Sequence, residues 1–292
     1  MRIASSLILL AAASSVSAAP RHGHTLRRAM QVKSRSPVGP PEVLFTFDDG
    51  PNLERTPRVL DILDQHHIKA VFFVNGWHFQ GDRPAAEKSR ALLREIVRRG
   101  HAVGNHTVHH YFLCGKRGLK VAADEIEQNA ELIEQAIGMR PELFRTPYGS
   151  HCKQLAATLA QLGVTHTGWD IDPQDWKVKN AKLVRDYVIK SLKKLRGRAI
   201  VLFHDVHEDT VRALPEVLDW LDAENAARIA RGETPVRVLD YGYLLPPHPA
   251  LPPLVDGVGR VLIDQCIGQR ELKSLGGALR FLGLSPSLPW TS

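Results

Sequence analysis

Short apolar runs alternate with amphipathic stretches between residues 42 and 240, and this alternation is the main structural signal in the sequence. The apolar runs have the length of buried strands, whereas the stretches between them repeat apolar residues at helical intervals. Strands are predicted at residues 43–47, 70–74, 101–104, 143–144, 164–168, 199–203 and 236–239. Helices are predicted at residues 56–66, 87–99, 121–137, 154–162, 182–195 and 213–224.

Strands that alternate with helices in this way favour an α/β fold with a mainly parallel sheet. The alternating region covers about 200 residues, which suits one distorted (β/α)7-8 barrel better than two separate domains. Periodicity alone leaves an open, doubly wound sheet as the alternative.

The N-terminal residues 1–18 have the pattern of a secretory signal peptide. Arg2 is followed by a mostly apolar stretch over residues 3–16, which is too short to span a bilayer. Cleavage after Ala18 would leave Val16 and Ala18 at the two positions that an A-x-A-like rule specifies. We therefore expect a protein that is secreted or periplasmic, with a retained membrane anchor or a cytosolic protein as the alternatives.

The net positive charge of the chain is of the kind that nucleic-acid-binding proteins carry. The 292 residues include 38 Lys and Arg against 31 Asp and Glu, a formal net charge of +7. Arg2 lies in the N-terminal segment and five further basic residues lie between Pro20 and Pro41, with no acidic residue in either stretch, so that only about +1 of the +7 remains after Pro41. Nucleic acid is therefore not expected as a partner. The basic segment is interpreted either as a mobile linker or as a tether to an anionic cell-envelope surface.

The sequence thus predicts four segments. Residues 1–18 form the signal peptide, 19–41 a basic linker with Pro and Ser, 42–240 a catalytic domain, and 241–292 a Pro-rich connector with a C-terminal appendage. The function of the appendage and the oligomeric state are not indicated by the sequence.

Polar residues follow the predicted strands at five places, where the strands reach their carboxyl ends. In a βα barrel these ends meet on one face, and active sites form there. The polar segments are residues 46–51, 106–110, 145–149, 170–176 and 202–205. The sequence therefore predicts one active site built from five loops.

His106 and His110 are four residues apart, so that on one helical turn both rings would point the same way, as two metal ligands must. A carboxylate from the first strand would complete a set of two His and one Asp with an open position for water, which is typical of catalytic sites. Zn²⁺ is the expected metal, although another divalent first-row ion such as Co²⁺ would also suit these ligands.

Asp48 and Asp49 are adjacent, a pattern that usually marks a solvated turn, and Gly50-Pro51 is a good turn signal. If both lay at a strand end they would repel each other unless separate partners held each one ionised. A metal for one and Arg145 for the other would meet this condition.

The segments 46–51, 106–110, 145–149, 172–176 and 202–205 resemble, in order and spacing, the five motifs of the polysaccharide deacetylases of carbohydrate esterase family 4, whose catalytic unit is the NodB homology domain. The resemblance covers residues 43–240. Thr146 departs from the family's usual pattern, since a second Pro commonly precedes Pro147 there, but no reactive group is missing.

The resemblance implies roles for residues at the first three motifs. Asp48 would be the general base that deprotonates the metal-activated water, and Arg145 would hold Asp48. Asp49, His106 and His110 would be the metal ligands.

At the remaining positions the resemblance implies an acid, an oxyanion donor and a binding pocket. His204 would be the general acid that protonates the leaving amine, and Asp175 would keep it charged and oriented. The backbone amide of Tyr148 would stabilise the oxyanion. Trp176 and Leu202 would form the walls of the pocket for the acetyl methyl group.

The expected function is that of a metal-dependent de-N-acetylase acting on glycans that contain N-acetylglucosamine, such as peptidoglycan, chitin or chito-oligosaccharide. Three alternatives remain open: an O-acetyl esterase on xylan or exopolysaccharide, a catalytically silent glycan-binding relative, and a metal-dependent phosphatase or nuclease. The last is disfavoured because Arg145 is the one cation in the motif set, whereas phosphate chemistry gathers more carboxylates and basic groups.

The three cysteines are an odd number for an exported protein. Cys114 follows His110 and Cys152 follows Gly149, on loops that should be neighbours, so we expect these two cysteines to form a disulfide in an oxidising compartment. The alternative is three buried thiols. Cys266 would stay unpaired or seek a partner in another chain. His109 and His151 add imidazoles near the cleft, where they are expected to be bystanders and otherwise to contact sugar or metal.

Overall fold

The computed structural model describes residues 38–244, so that the predicted signal peptide, most of the basic linker, all but the first four residues of the C-terminal connector and appendage, and Cys266 lie outside the described residues. The strands are β1 (Glu42–Gly50), β2 (Val71–Val74), β3 (Ala102–Asn105), β4 (Leu143–Phe144), β5 (Thr165–His166), β6 (Arg198–His204) and β7 (Arg237–Val238). The helices are α1 (Arg55–Gln65), α2 (Pro84–Arg98), α3 (Lys116–Ile137), α4 (Lys153–Leu162), α5 (Asp175–Val178), α6 (Ala181–Lys193) and α7 (Glu208–Ala230). Short 3₁₀ turns cover Gly76–His78, Pro147–Gly149 and Tyr241–Leu244.

All the strand pairs are parallel, and the order in the sheet is β5-β4-β3-β2-β1-β6. Strand β1 pairs with β6 along most of its length, from Glu42 opposite Arg198 to Asp48 opposite His204. The first residues of β1 also pair with β7. The predicted strands are all present, which confirms the α/β fold.

The sheet bends round into a distorted barrel. Strands β1 to β5 follow one another in order across the sheet, and β6 lies on the other side of β1. Just after β5, Ile171 forms a parallel bridge with Val201 on β6, so that the chain leaving one edge of the sheet reaches the other edge. The barrel prediction is confirmed, and the open doubly wound alternative is wrong.

The two-residue period of β1 separates the helix-facing core from the barrel interior. Val43, Phe45 and Phe47 belong to a large buried cluster that includes residues of α1, α2, α6 and α7. Leu44 belongs to a smaller cluster with residues of β2, β4 and β6. Each fully buried Phe or Leu contributes about 1.5–3 kcal/mol to stability. Because Asp48 is four residues beyond Leu44, it lies on the interior side of the sheet.

Helices α3 and α7 begin before the predicted positions. Helix α7 starts at Glu208 rather than at residue 213 and has Pro215 inside it. Two acidic residues in its first turn, Glu208 and Asp209, stabilise the start of the helix because their negative charges lie near the positive end of the helix dipole. Between residues 38 and 244, no helix combines the length and the apolar character needed to cross a bilayer.

Candidate active site

Asp48 and Asp49 diverge because the backbone changes conformation between them. The pairing of β1 with β2 shifts register between Asp48 and Gly50, and Asp49 has a left-handed φ of 72°, a conformation that Asp tolerates better than most residues. The Nε2 of His78 donates a hydrogen bond of 2.8 Å to the carbonyl oxygen of Asp49 and so holds this conformation. The two carboxylates consequently meet different partners.

Asp48 forms a buried ion pair with Arg145. The Nη1 of Arg145 donates to Asp48 Oδ1 over 2.7 Å and to Thr46 Oγ1 over 2.8 Å, and its Nη2 donates to the carbonyl of Gly168 over 2.9 Å. The guanidinium group stacks 4.2 Å from the centre of the Phe73 ring. Arg145 is fully buried and Asp48 is 2% exposed, so each charge depends on the other for compensation.

Asp49 faces both histidines of the second motif. Its Oδ1 lies 3.4 Å from Nε2 of His106 and 3.3 Å from Nε2 of His110, and one ligand atom from each of the three residues lies within 4.8 Å of the other two. Burial acts to raise the pKa of Asp49, but the two imidazoles outweigh it and hold the pKa well below its ordinary value. An ionised carboxylate is the form that binds a metal.

The loop that carries the two histidines is not helical, and the predicted helical turn is therefore wrong. Strand β3 ends at Asn105. Beyond it, Thr107 and His110 have left-handed φ values of 70° and 57°. The N–H of His110 donates to Thr107 Oγ1 over 3.0 Å. The two rings still converge, with centroids 4.9 Å apart, because a tight loop turns them inward.

The donor set fits a divalent first-row metal. The Nδ1 of His106 donates to the backbone carbonyl of Arg145 over 2.8 Å. The lone pair of the His106 ring is therefore on Nε2, the nitrogen that faces Asp49. The Asp49 Oδ1 is buried and has no hydrogen-bond partner among the described residues. A buried oxygen without a partner is costly, and a cation bound beside it would remove that cost. Two imidazole nitrogens with one carboxylate oxygen suit Zn²⁺ and its neighbours.

Buried polar residues that the sequence analysis did not identify hold the histidine loop in place. Asn75 donates to the carbonyl of His106 over 2.6 Å, and Asn129 on α3 donates to Oδ1 of Asn105 over 2.8 Å. Glu125, also on α3, accepts hydrogen bonds from both the backbone N–H and the Nδ1 of His109. Glu125 and Asn129 are polar residues within the amphipathic pattern of α3, which was a usable signal, but the sequence does not show which residues they contact.

His204 and Asp175 form the second buried pair of the site. Asp175 accepts from the Nδ1 and from the backbone N–H of His204, both over 2.7 Å, and from the hydroxyl of Thr210. Burial acts to lower the pKa of His204, but the hydrogen bond and charge of Asp175 outweigh it, and the charges of Asp48 and Asp49 add to this effect, which raises the pKa to about 9. The imidazole is therefore protonated at neutral pH.

Asp205 lies fully buried beneath the turn that follows Asp49. It accepts a hydrogen bond from the hydroxyl of Thr56, and its other oxygen has no partner among the described residues. Burial raises the pKa of Asp205 to about 7. A Cβ at Gly50 would lie 2.6 Å from this carboxylate, so the turn requires glycine there.

A cavity of about 520 Å³ connects the two pairs and the histidines. It is lined by Asp48, Asp49, His106, His110, Thr146, Tyr148, Trp169, Asp172, Trp176, Leu202 and His204. Trp169 was not predicted as a site residue, although its position just past β5 was a usable signal. Trp176 and Leu202 lie in the lining as expected, whereas His109 and His151 are not part of it.

Tyr148 lies in a strained turn at the rim of the cavity. It has a left-handed φ of 57°, and the hydrogen bonds of its 3₁₀ turn are donated by Gly149 and Ser150 to Thr146 and Pro147. Tyr148 precedes these two donors in the chain, so its backbone N–H takes no part in the hydrogen bonds of the turn.

Cys114 and Cys152 form a disulfide with a Cα–Cα distance of 5.9 Å. It joins the loop after the histidines to the loop after Tyr148. The predicted pairing is therefore present in the structure.

Comparison with known proteins agrees with this architecture. Residues 35–167 match the sequence model of the polysaccharide deacetylase family. The chain is 38% identical over 178 residues to a chitooligosaccharide deacetylase of Sinorhizobium fredii, covering 59% of this chain and 75% of that protein. It is 34% identical to a peptidoglycan-N-acetylglucosamine deacetylase of Bacillus cereus, covering 65% of this chain and 66% of that one.

Among solved structures, the peptidoglycan deacetylase PdaC from Bacillus subtilis superposes with a TM-score of 0.58 at 28% identity, covering 70% of this chain and 90% of that chain. The parallel barrel, the matched residues and these relatives lead to one family. The chain belongs to the polysaccharide deacetylases of carbohydrate esterase family 4, and it is a de-N-acetylase, a hydrolase of carbon–nitrogen bonds other than peptide bonds.

Proposed function

We propose that this chain removes the acetyl group from N-acetylglucosamine residues of peptidoglycan or a chito-oligosaccharide, with a divalent metal held by Asp49, His106 and His110. The observation that carries the proposal is that one cavity holds a paired carboxylate, Asp48, a protonated imidazole, His204, and the three candidate ligands. The S. fredii relative is named as a chitooligosaccharide deacetylase, and the B. cereus relative as a peptidoglycan-N-acetylglucosamine deacetylase.

When bound, a Zn²⁺-like ion supplies Lewis-acid polarisation of the acetyl carbonyl and lowers the pKa of water from 15.7 to about 7. Asp48 accepts the proton of the attacking water, and Arg145 keeps this carboxylate in position. The N–H of Tyr148 donates to the carbonyl oxygen as it gains charge, an interaction typically worth about 2.7–4 kcal/mol. His204 gives its Nε2 proton to the leaving nitrogen, so that water and amide become acetate and amine.

The His204–Asp175 pair favours an amide substrate over an ester. An amine cannot leave as an anion, whereas an alkoxide needs less help, and a pKa of about 9 keeps His204 protonated at neutral pH. Acetate release from N-acetylated chito-oligosaccharide, peptidoglycan and acetylxylan, measured side by side, tests this preference. Acetate release from acetylxylan, with none from either N-acetylated glycan, would support an O-acetyl esterase instead.

The metal requirement is tested by chelation. Acetate release should disappear when EDTA removes the metal and return with Zn²⁺ or Co²⁺. Asp48→Asn should abolish turnover with metal content near that of the unmodified protein, whereas His110→Ala should lower metal content itself. If both variants held metal equally well, the division between base and ligands would be wrong. A protein that binds glycan but releases no acetate under any condition would be a silent binding relative.

The proposal extends to location outside the cytoplasm. The Cys114–Cys152 disulfide supports it, because disulfides persist in oxidising compartments. Residues 1–18 fused to a reporter enzyme should direct its export. Deletion of residues 19–41 should abolish salt-sensitive binding to anionic wall polymer if this segment is a tether, and should leave it unchanged if the segment is only a linker.

A further inference from the structure

Exposed aromatic side chains are concentrated at one end of the barrel. Among the side chains that the structure describes, the exposed aromatic ones are those of Trp77, Tyr111, Phe112, Tyr148, Trp176 and Tyr187. Tyr187 lies on α6, whereas the other five lie on segments that follow β2, β3, β4 and β5, on the side where the cavity opens. Solvent exposure of large apolar rings has a cost in free energy, and a cluster of them commonly marks a binding surface.

Two of these rings extend the cavity outward. The Tyr148 ring lies 4.5 Å from that of His110, and the Phe112 ring lies 6.4 Å from that of Tyr148. Tyr148 lines the cavity and is 68% exposed, and Phe112 is 54% exposed. A continuous series of rings therefore runs from a candidate metal ligand to the protein surface.

The backbone holds this pair of rings in place without burying the rings. Cys114 and Cys152, which follow Phe112 and Tyr148 closely in sequence, are joined by the disulfide. Leu113, next to Phe112, is fully buried. No side chain fits at Gly118 on α3, where a Cβ would overlap the carbonyl oxygen of Phe112. A surface fixed before its ligand arrives loses little conformational entropy on binding.

We infer that Phe112 and Tyr148 form the sugar-binding surface for the residue next to the one that is deacetylated. This inference rests on the proposed function. A pyranose ring presents an apolar face of C–H groups that packs flat on aromatic rings, and rigid aromatic residues supply large contact area at low entropic cost. The continuity of the rings with the cavity selects a glycan as the occupant.

The test compares two substrates, a chitin tetrasaccharide and the sugar-free ester 4-nitrophenyl acetate. Phe112→Ala should lower kcat/KM for the tetrasaccharide relative to that for the ester about three- to tenfold, mainly through KM. Phe112→Trp should retain the ratio. Met139→Ala is the matched control, because Met139 is also 54% exposed but lies before β4, at the opposite end of the barrel, and its ratio should not change.

An unchanged ratio in a folded Phe112→Ala protein would overturn the inference while leaving the proposed function intact. An equal fall in Met139→Ala would also overturn it, since the effect would then not be local. If the unmodified, metal-loaded protein released no acetate from any N-acetylated glycan, the proposed function would fail and the inference with it. Thermal unfolding of each variant shows whether a lower ratio reflects binding or a loss of fold.

Discussion

The imidazole of His106 donates its Nδ1 hydrogen to the backbone carbonyl of Arg145 over 2.8 Å, while the guanidinium of the same arginine holds Asp48 over 2.7 Å. One residue thus orients a candidate metal ligand through its backbone and the candidate base through its side chain. The two functions can be separated by substitution, because only the second depends on the side chain.

Arg145→Lys should therefore impair turnover without loss of metal. A lysine ammonium cannot reproduce the fork of donors that reaches Asp48, Thr46 and Gly168, and kcat should fall by about 10²-fold or more. Metal content, measured by plasma mass spectrometry, should stay close to that of the unmodified protein. A loss of metal as large as that of His110→Ala would contradict this separation.

The pH dependence of the reaction should depend on Asp175. Asp175 raises the pKa of His204 to about 9, so the acid form is retained below that pH and lost as pH rises through it. A cation bound by Asp49 offsets one of the charges that assist this shift, so about 9 is an upper bound for the basic limb of kcat/KM. Asp175→Asn should move the basic limb to lower pH by more than one unit and reduce kcat at pH 8 about tenfold or more.

The matched control for Asp175→Asn is Thr210→Val, which removes one hydrogen bond to Asp175 but keeps its charge. Its basic limb should stay near that of the unmodified protein. The same linkage predicts that protonated His204 stabilises the fold fully below pH about 6.5, as long as Asp175 stays ionised, and that this contribution is lost as pH rises towards about 9. An unshifted limb in Asp175→Asn would exclude His204 as the titrating acid.

Gly50→Ala should destabilise the fold. The new methyl group would lie 2.6 Å from Asp205 Oδ2, and this carboxylate is fully buried and bonded to Thr56, so it cannot easily move. Overpacking of this kind costs about 1–3 kcal/mol. Gly168→Ala is the control, since no atom lies within 4 Å of a Cβ there. Urea unfolding should separate the two variants, and equal stability would show that Asp205 can rearrange.

Removal of the disulfide should lower stability. Cys114 and Cys152 are 38 residues apart in sequence, and cross-links that close loops of this order typically contribute about 2–4 kcal/mol. The Cys114→Ser/Cys152→Ser variant should unfold at correspondingly lower urea concentration. Addition of a reductant should lower the stability of the unmodified protein to the same value and should not affect the variant. A variant as stable as the oxidised protein would contradict this expectation.

The sequence was sufficient to predict the strands and the positions of the polar loops, because buried strands leave short apolar runs and parallel strands end on one face. It could not predict how the loops are folded. His106 and His110 converge through left-handed residues of a loop, and Asp49 separates from Asp48 by a change in φ. Four-residue spacing is compatible with both a helical turn and a tight loop, so it did not distinguish them.

Contacts between distant segments were also beyond the sequence. Glu125 and Asn129 are spaced as ordinary polar positions of α3, and only the packing of α3 against β3 shows that they hold the histidine loop. Trp169 follows β5 without any motif of its own and reaches the cavity because the chain turns towards β6 after it.

The register of β1 and β6 has a consequence for which parts of this protein's sequence can change in evolution without altering the reaction. Asp48 and His204 are direct neighbours across this parallel ladder, whose strands are about 4.8 Å apart. The spacing between the proposed proton acceptor, Asp48, and the proposed proton donor, His204, is therefore set by backbone hydrogen bonds of the barrel, not by the loops around it. If Phe112 and Tyr148 bind the glycan as inferred, their loops can change which glycan is bound while the proposed proton transfer keeps its geometry. Substrate range and chemical step are, in this fold, separately adjustable.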